Sequence, residues 1–304
     1  MKYGIFILLI FISFLSLIVG PGGMDKEIIV KIRLPRVLLG IFAGGVLSFV
    51  GGFLQGLLQN PLCDPYILGI SSGAGFGVAL AFLLGKVSYF TLPFFAFLFS
   101  LLSLFFVYLI AQISGRIQKL SLLLSGVLVS FLFSSLTILV MVLNRKPLSS
   151  IIYLIMGNLS VIFTPLTLKI FAIILGISLF LLFFLFSYAR ELDILTTGEE
   201  PAKSLGVNTE KMMKITFITS SFLVAFVVSY VGSISFVGLV VPHLARSLFG
   251  FHHKRLLPTS FLLGGSLLLI SDLFARTIAP VELPLSVVTA IFGVPFFLYL
   301  LRKV

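Results

Sequence analysis

The run FAIILGISLFLLFFLFSY, residues 171–188, holds no charged side chain and is apolar on every face of a helix. About 20 such residues cover the ~30 Å hydrocarbon core of a bilayer. A membrane β-strand would instead alternate over roughly ten residues between turn signals, and no such alternation occurs here. Working outward, comparable runs cover 5–19, 37–58, 67–84, 92–110, 120–143, 165–186, 215–231, 237–249, 259–274 and 285–301. Breakers of the Gly, Pro, Asn and Ser type separate them. The expectation is an all-α integral membrane protein with about ten transmembrane helices, residues 1–304 forming a single polytopic domain.

Composition agrees. The 304 residues are 59% hydrophobic and 10% charged, against roughly 25% charged in a soluble domain, and the mean hydropathy is +1.24. The net charge of +11 does not suggest nucleic acid, because the basic residues are scattered between apolar runs and face headgroups or water. The lone Cys63 excludes an internal disulfide, and no Cys/His spacing suits a metal. An even number of spans puts both termini on one side. Placing them in the cytoplasm puts Lys2, Arg116, Lys119, Arg190, Lys203, Lys211, Lys214, Lys254, Arg255, Arg302 and Lys303 inside. Lys26, Lys31, Arg33, Arg36, Lys86, Arg145 and Lys146 are then outside, so the positive-inside bias is small. Residues 20–36 read as a polar, basic connection, and His252-His253 as a wet basic loop.

Several chemistries are missing. No GxxxxGK[ST] loop is present, so the chain has no ATPase site of its own, and no HExxH or GxSxG occurs. Asp272 is the one acid well inside an apolar run. Arg276, one helical turn on, is its expected partner. A proton-coupled carrier needs more of a relay than that, so an ion-coupled secondary transporter is the alternative reading; a membrane sensor or scaffold is a third.

Two polar segments stand out. In 190–214, GEEPAKSLGVNTEK reads as two short helices. Glu199 and Glu200 precede Pro201 in a first turn, Gly206 supplies a left-handed stop, and Asn208 caps the next helix. The other is NPLCDPYILGISSGAG, residues 60–75, rich in Pro and Gly. Irregular backbone of this kind is tolerated in a membrane only against protein or a watery cavity. Asn60 to Pro65 is expected as a cytoplasmic turn beside a central path.

RLPRVLLGIFAGG (33–45) followed by GGFLQGLLQNPLCDPYILGISSGAG (51–75) resembles the signature of the FecCD family, permease subunits of ATP-driven importers for iron–siderophore complexes, haem and cobalamin. SISFVGLVVPHLARSLFG (233–250), ELPLSVVTAIFGVPFFLYLLRK (282–303) and TTGEEPAKSLGV (196–207) are similar to its later motifs. The resemblance implies a type II ABC importer permease: a ten-span chain, dimeric around a central translocation path, in a bacterial or archaeal cytoplasmic membrane. Two ABC ATP-binding subunits would hold ATP and magnesium, a periplasmic or lipid-anchored substrate-binding protein would dock outside, and a second permease chain, as a homodimer, would complete the path. No cofactor or metal is expected in this chain. By the same resemblance Asn60 and Leu62 narrow the inner end of the path, and Ser134 and Ser135 make a further constriction. Gly198, Glu199, Glu200, Ala202, Leu205 and Gly206 press on the ATPase; Arg33, Arg36 and Arg276 receive the binding protein's acidic residues. SSIIYLIMGNL looks like the family's re-entrant half-helix at the outer mouth, residues 149–158. His243 is read as structural.

Overall fold

A computed structural model describes residues 2–21, 23–112, 118–144 and 148–301; Arg116, Arg145, Lys146, Arg302 and Lys303 lie outside the described residues. Thirteen helices and no strand occur among them: α1 (Lys2–Ile18), α2 (Lys26–Leu58), α3 (Ile70–Leu83), α4 (Thr91–Ala111), α5 (Lys119–Leu143), α6 (Leu148–Ile155), α7 (Pro165–Ser187), α8 (Ala189–Leu195), α9 (Glu199–Ser204), α10 (Thr209–Val231), α11 (Val237–Phe249), α12 (His253–Thr277) and α13 (Leu285–Leu301). Six are long and apolar enough to cross a membrane, namely α2, α4, α5, α7, α10 and α12. The shorter apolar helices α1, α3, α11 and α13 account for the remaining runs.

The axis of the bundle is α2, which is buried along most of its length while α5 and α7 leave most of theirs exposed. Helices in lipid associate through close packing of small residues rather than through exclusion of water. That is how α2 is held. A Cβ on Gly44 would run into the carbonyl of Gly264 on α12, and one on Gly51 into that of Gly238 on α11. Leu39, Leu47 and Phe53 fill the spaces between. On the outside, Phe131, Ile138, Phe180 and Phe183 project from α5 and α7, as lipid-facing or partner-facing side chains must.

Two expectations are corrected here. Residues 26–36 are not a loose connection but the first turns of α2, which takes one π-turn at Ile29–Arg33. Pro35 follows immediately; its ring cannot donate and crowds the preceding carbonyls, and the wider turn accommodates it. The third span, in turn, is helical only from Ile70. Residues 60–69 before it, expected as a turn only as far as Pro65, are a chain of turns that ends in a 3₁₀ turn at Pro65–Leu68. It reaches the middle of α4, where Ser103 Oγ donates to the Gly69 carbonyl (2.7 Å) and Ser100 Oγ to that of Ile70 (3.1 Å). Gly69 lies at φ 76°, a left-handed conformation suited to glycine.

The connector 232–236 between α10 and α11 is irregular as well, and the two broken segments meet: Ile234 N–H donates to Tyr66 Oη (3.1 Å). The short α6 docks its C-terminal end on the same connector. Asn158 N donates to the Val231 carbonyl (2.9 Å), Ser233 N to that of Ile155 (3.0 Å), and Leu285 N to that of Gly157 (2.9 Å). Unwound backbone at depth is thus satisfied within the protein, as a spanning chain requires.

Candidate functional site: two polar ends of one bundle

The polar side chains gather at the two ends of the bundle. At one, the elbow end, α2 finishes with Gln59 in a left-handed conformation (φ 52°). Asn60 Oδ1 accepts from Leu62 N (2.9 Å), closing the turn, and Leu62 is left 53% exposed. Gln55 fixes the neighbouring strand of chain: its Nε2 donates to the carbonyls of Cys63 (3.2 Å) and Leu239 (3.2 Å), and its Oε1 accepts from Arg246 Nη1 (2.7 Å). Between these groups opens a cleft of about 530 Å³ lined by Gln59, Asn60, His243, Arg246 and His253, among others.

Ser134 and Ser135 are not brought to this turn. Both are exposed on the outward face of α5. Lys119 at the base of that helix donates to Gln59 Oε1 (2.8 Å), so the serines stand roughly 22 Å further along at 1.5 Å per residue. Within one chain the two expected constrictions lie at different depths.

The elbow itself has the form its residues dictate. Glu199 and Glu200 occupy the first turn of α9, and both lie within 4 Å of Lys203 Nζ (3.6 and 3.1 Å). The Glu200 hydrogen bond and charge hold the Lys203 ammonium above its usual range; at full exposure such pairs add little stability. Ala202 is wholly buried, while Leu205 is 68% exposed at the tip. Gly206 at φ 84° turns the chain, and Asn208 Oδ1 accepts from Lys211 N (2.9 Å) to cap α10.

At the opposite, arginine end, the three arginines point inward. Arg33 is 2% exposed. Its guanidinium donates to the carbonyls of Leu17, Ile18, Gly20, Pro21 and Gly23 at 2.7–3.1 Å. It thereby satisfies the last carbonyls of α1, which have no partner in their own helix. Arg36 lies between two acids. Its Nε donates to both Asp272 oxygens (2.8 and 3.1 Å), and its Nη1 to Glu282 Oε1 and Ser160 Oγ (2.9 Å each). Arg276 donates to the carbonyl (2.6 Å) and hydroxyl (2.8 Å) of Ser16. Its contact with Asp272 is the longer one, 3.5 Å, so the helical-turn pair read from the sequence is secondary to Arg36–Asp272. No guanidinium of the three is displayed at the surface of the single chain.

Glu282 closes this cluster from the 278–284 loop, accepting from Ser160 Oγ (2.6 Å) and Tyr153 Oη (3.4 Å). Partial burial would raise its carboxyl, but hydrogen bonds from Arg36 and Ser160 outweigh that and hold it below the usual range.

Sequence reasoning missed three participants: Gln55, Glu282 and His253. His253 was expected in a wet loop. His252 is indeed exposed, but the His253 side chain is 4% exposed and held by Asp193. The only signal was its place just before the apolar run of α12. Among the described residues no three His, Cys, Asp or Glu side chains are placed to share a metal ion.

A bundle of apolar helices with broken spans at its centre, polar clefts at its ends and no nucleotide loop is the form of a multi-pass membrane permease. Residues 4–303 match the model of the FecCD transport family, and the chain belongs to that family. It is 38% identical to the cobalamin import system permease protein BtuC of Halobacterium salinarum, over 93% of this chain and 75% of that one. It is 37% identical to the Fe(3+)-citrate import system permease protein YfmD of Bacillus subtilis, over 94% and 85%. Among solved structures, a metal-chelate type ABC transporter in an inward-facing conformation superposes with a TM-score of 0.88 at 33% identity, covering 99% of this chain and 98% of that one. The fold and the transport role follow, as does a prokaryotic cytoplasmic membrane as the setting.

Proposed function

We propose that this chain is the path-forming subunit of an ATP-driven importer for a bulky metal chelate of the iron–siderophore, haem or cobalamin kind. Two copies enclose the path, two ATP-binding subunits carry ATP and magnesium beneath the elbow end, and a substrate-binding protein docks on the arginine end. The elbow end then faces the cytoplasm with both termini. The names of the relatives, cobalamin and Fe(3+)-citrate permeases, support the cargo class.

The observation that carries the reading is the elbow. An exposed leucine, Leu205, crowns an ordered two-helix arm in a chain with no phosphate loop of its own. Ordering such an arm costs conformational entropy, and a partner surface offsets it. Gly198, Glu199, Glu200, Ala202, Leu205 and Gly206 form that surface, while Asn60 and Leu62 narrow the path at the level where the arm begins. Ser134 and Ser135 narrow it higher up, on the face of α5 turned toward the second copy. Arg33, Arg36 and Arg276 serve docking from beneath: they fix the shape of the α1–α2 and 278–284 connections on which the binding protein rests. Because each ATPase state need only prefer one permease state, the drive is ordinary linkage.

The test is uptake into proteoliposomes holding the purified assembly. Uptake should require ATP and persist when proton and sodium gradients are collapsed. Uptake that follows the gradients and ignores ATP would establish the secondary transporter instead.

A further inference from the structure

The arm is seated on the bundle by the buried Leu192 and Leu195 and by a polar contact between residues with no assigned task. Asp193, on α8, directs a single oxygen at two donors of the next element: the backbone N–H of His253 (2.9 Å) and the His253 ring at Nδ1 (2.6 Å). It thereby caps α12 from a different helix and orients the imidazole. The opposite edge of that ring lies against Gly56 of α2. A Cβ at Gly56 would stand 2.6 Å from His253 Nε2 and 3.1 Å from Leu192 Cγ. Among the described residues His253 Nε2 has no hydrogen-bond partner, which fits a neutral ring carrying its proton on Nδ1, toward the carboxylate. One turn further along α2, Gln59 Nε2 donates to the Leu195 carbonyl at the end of α8 (2.6 Å). The arm therefore touches the last turn of α2 twice, just before the Asn60–Leu62 turn.

We propose that Asp193, His253 and Gly56 form the joint that passes movement of the arm to α2 and α12, with Asp193 and His253 as positioning residues for coupling. The proposal rests on the importer reading above. Its physical basis is that the Asp193–His253 contact is charge-assisted and its imidazole is shielded from water (4% exposed, against 28% for Asp193), whereas the exposed Gln59–Lys119 bond can exchange with water. The arm, the start of α12 and the end of α2 then move as one piece, and the turn that narrows the path moves with them. Gly56 is needed because any side chain there would lift the imidazole and Leu192 off α2.

The experiment uses the complete assembly in proteoliposomes and reads molecules transported per ATP hydrolysed, beside the hydrolysis rate and subunit stoichiometry. Asp193→Ala and Gly56→Ala should lower that ratio about fivefold or more, the size of a typical coupling energy, with hydrolysis retained. Asp193→Asn keeps an oxygen acceptor for the His253 N–H and should recover most of the ratio. An unchanged ratio in assembled Asp193→Ala overturns the proposal. If that variant fails to assemble, the double substitution Asp193→Cys with His253→Cys decides, since the native Cys63 is buried. Oxidation should leave coupled uptake intact; uptake lost on oxidation and restored by reductant means the joint must open and overturns the proposal. Failure of the importer reading has a different signature, namely wild-type uptake that does not need ATP.

Discussion

Arg36→Met removes the main partner of a carboxylate with nowhere else to turn. Asp272 is fully buried, and Arg36 reaches it through Nε (2.8 and 3.1 Å) and Nη2 (2.8 Å). What remains is Arg276 Nε at 3.5 Å. Breaking a buried ion pair by deleting one member costs about 3–5 kcal/mol, because the other charge stays desolvated. The surviving Arg276 contact places the expectation near the low end, about 3 kcal/mol, or roughly two orders of magnitude in the folding equilibrium. Glu282 adds little to this sum, since its side chain is 31% exposed and can turn to water. Replacing the acid as well, in Arg36→Met with Asp272→Asn, should restore at least half of the loss, since a neutral amide is cheaper to bury than an unpaired charge. The assay is unfolding by denaturing detergent in mixed micelles, followed by circular dichroism because the chain has no tryptophan. A single variant within about 1 kcal/mol of wild type, the range of an exposed pair, would refute the reasoning. So would a double variant weaker than the single one.

Gly264→Ala forces α2 and α12 apart where a Cβ meets the Gly44 carbonyl and the Ser48 side chain; overpacking of this kind costs about 1–3 kcal/mol, read in the same assay. Gly206→Val asks a β-branched residue to hold φ 84° in otherwise open space, a strain of about 1–3 kcal/mol. Transport per ATP should fall while assembly survives, and full coupling would show that the shape of the elbow is not read. Glu282 has a depressed carboxyl, so its contribution is present above the ordinary glutamate value of about 4.3 and is lost as pH falls through its lower folded value. Acid titration should loosen the 278–284 loop below the ordinary glutamate range, read by amide exchange, and Glu282→Gln should flatten that response.

Local chemistry explains what the sequence disclosed. The spans are stretches without charge, and α11 and α13 cover the runs 237–249 and 285–301, Gly250 closing the first and Pro284 preceding the second. The arm around 198–208 was equally plain, because glutamates before a proline, a left-handed glycine and an asparagine cap act within a few residues of themselves. What stayed hidden depends on partners far along the chain. Arg36 meets Asp272 and Glu282 across more than 200 positions, so nothing near RLPR reveals that the guanidinium turns inward. Arg33 serves carbonyls of α1 that no side-chain pattern advertises. His253 is buried because Asp193 reaches it from another helix. The depth of residues 60–69 was hidden for the same reason: the serines of α4 and the tyrosine contact to Ile234 are what allow a stretch of turns to replace half a span.

That replacement has a mechanical meaning. A continuous rod across the bilayer can bend only by snapping rungs of its own ladder, each of them costly in oil. The third crossing becomes α-helical only at Ile70, and the turns before it are held by hydrogen bonds from Ser103 and Gln55 and by the buried Cys63 and Leu68. A displacement of those turns would leave every helical rung of α3 closed.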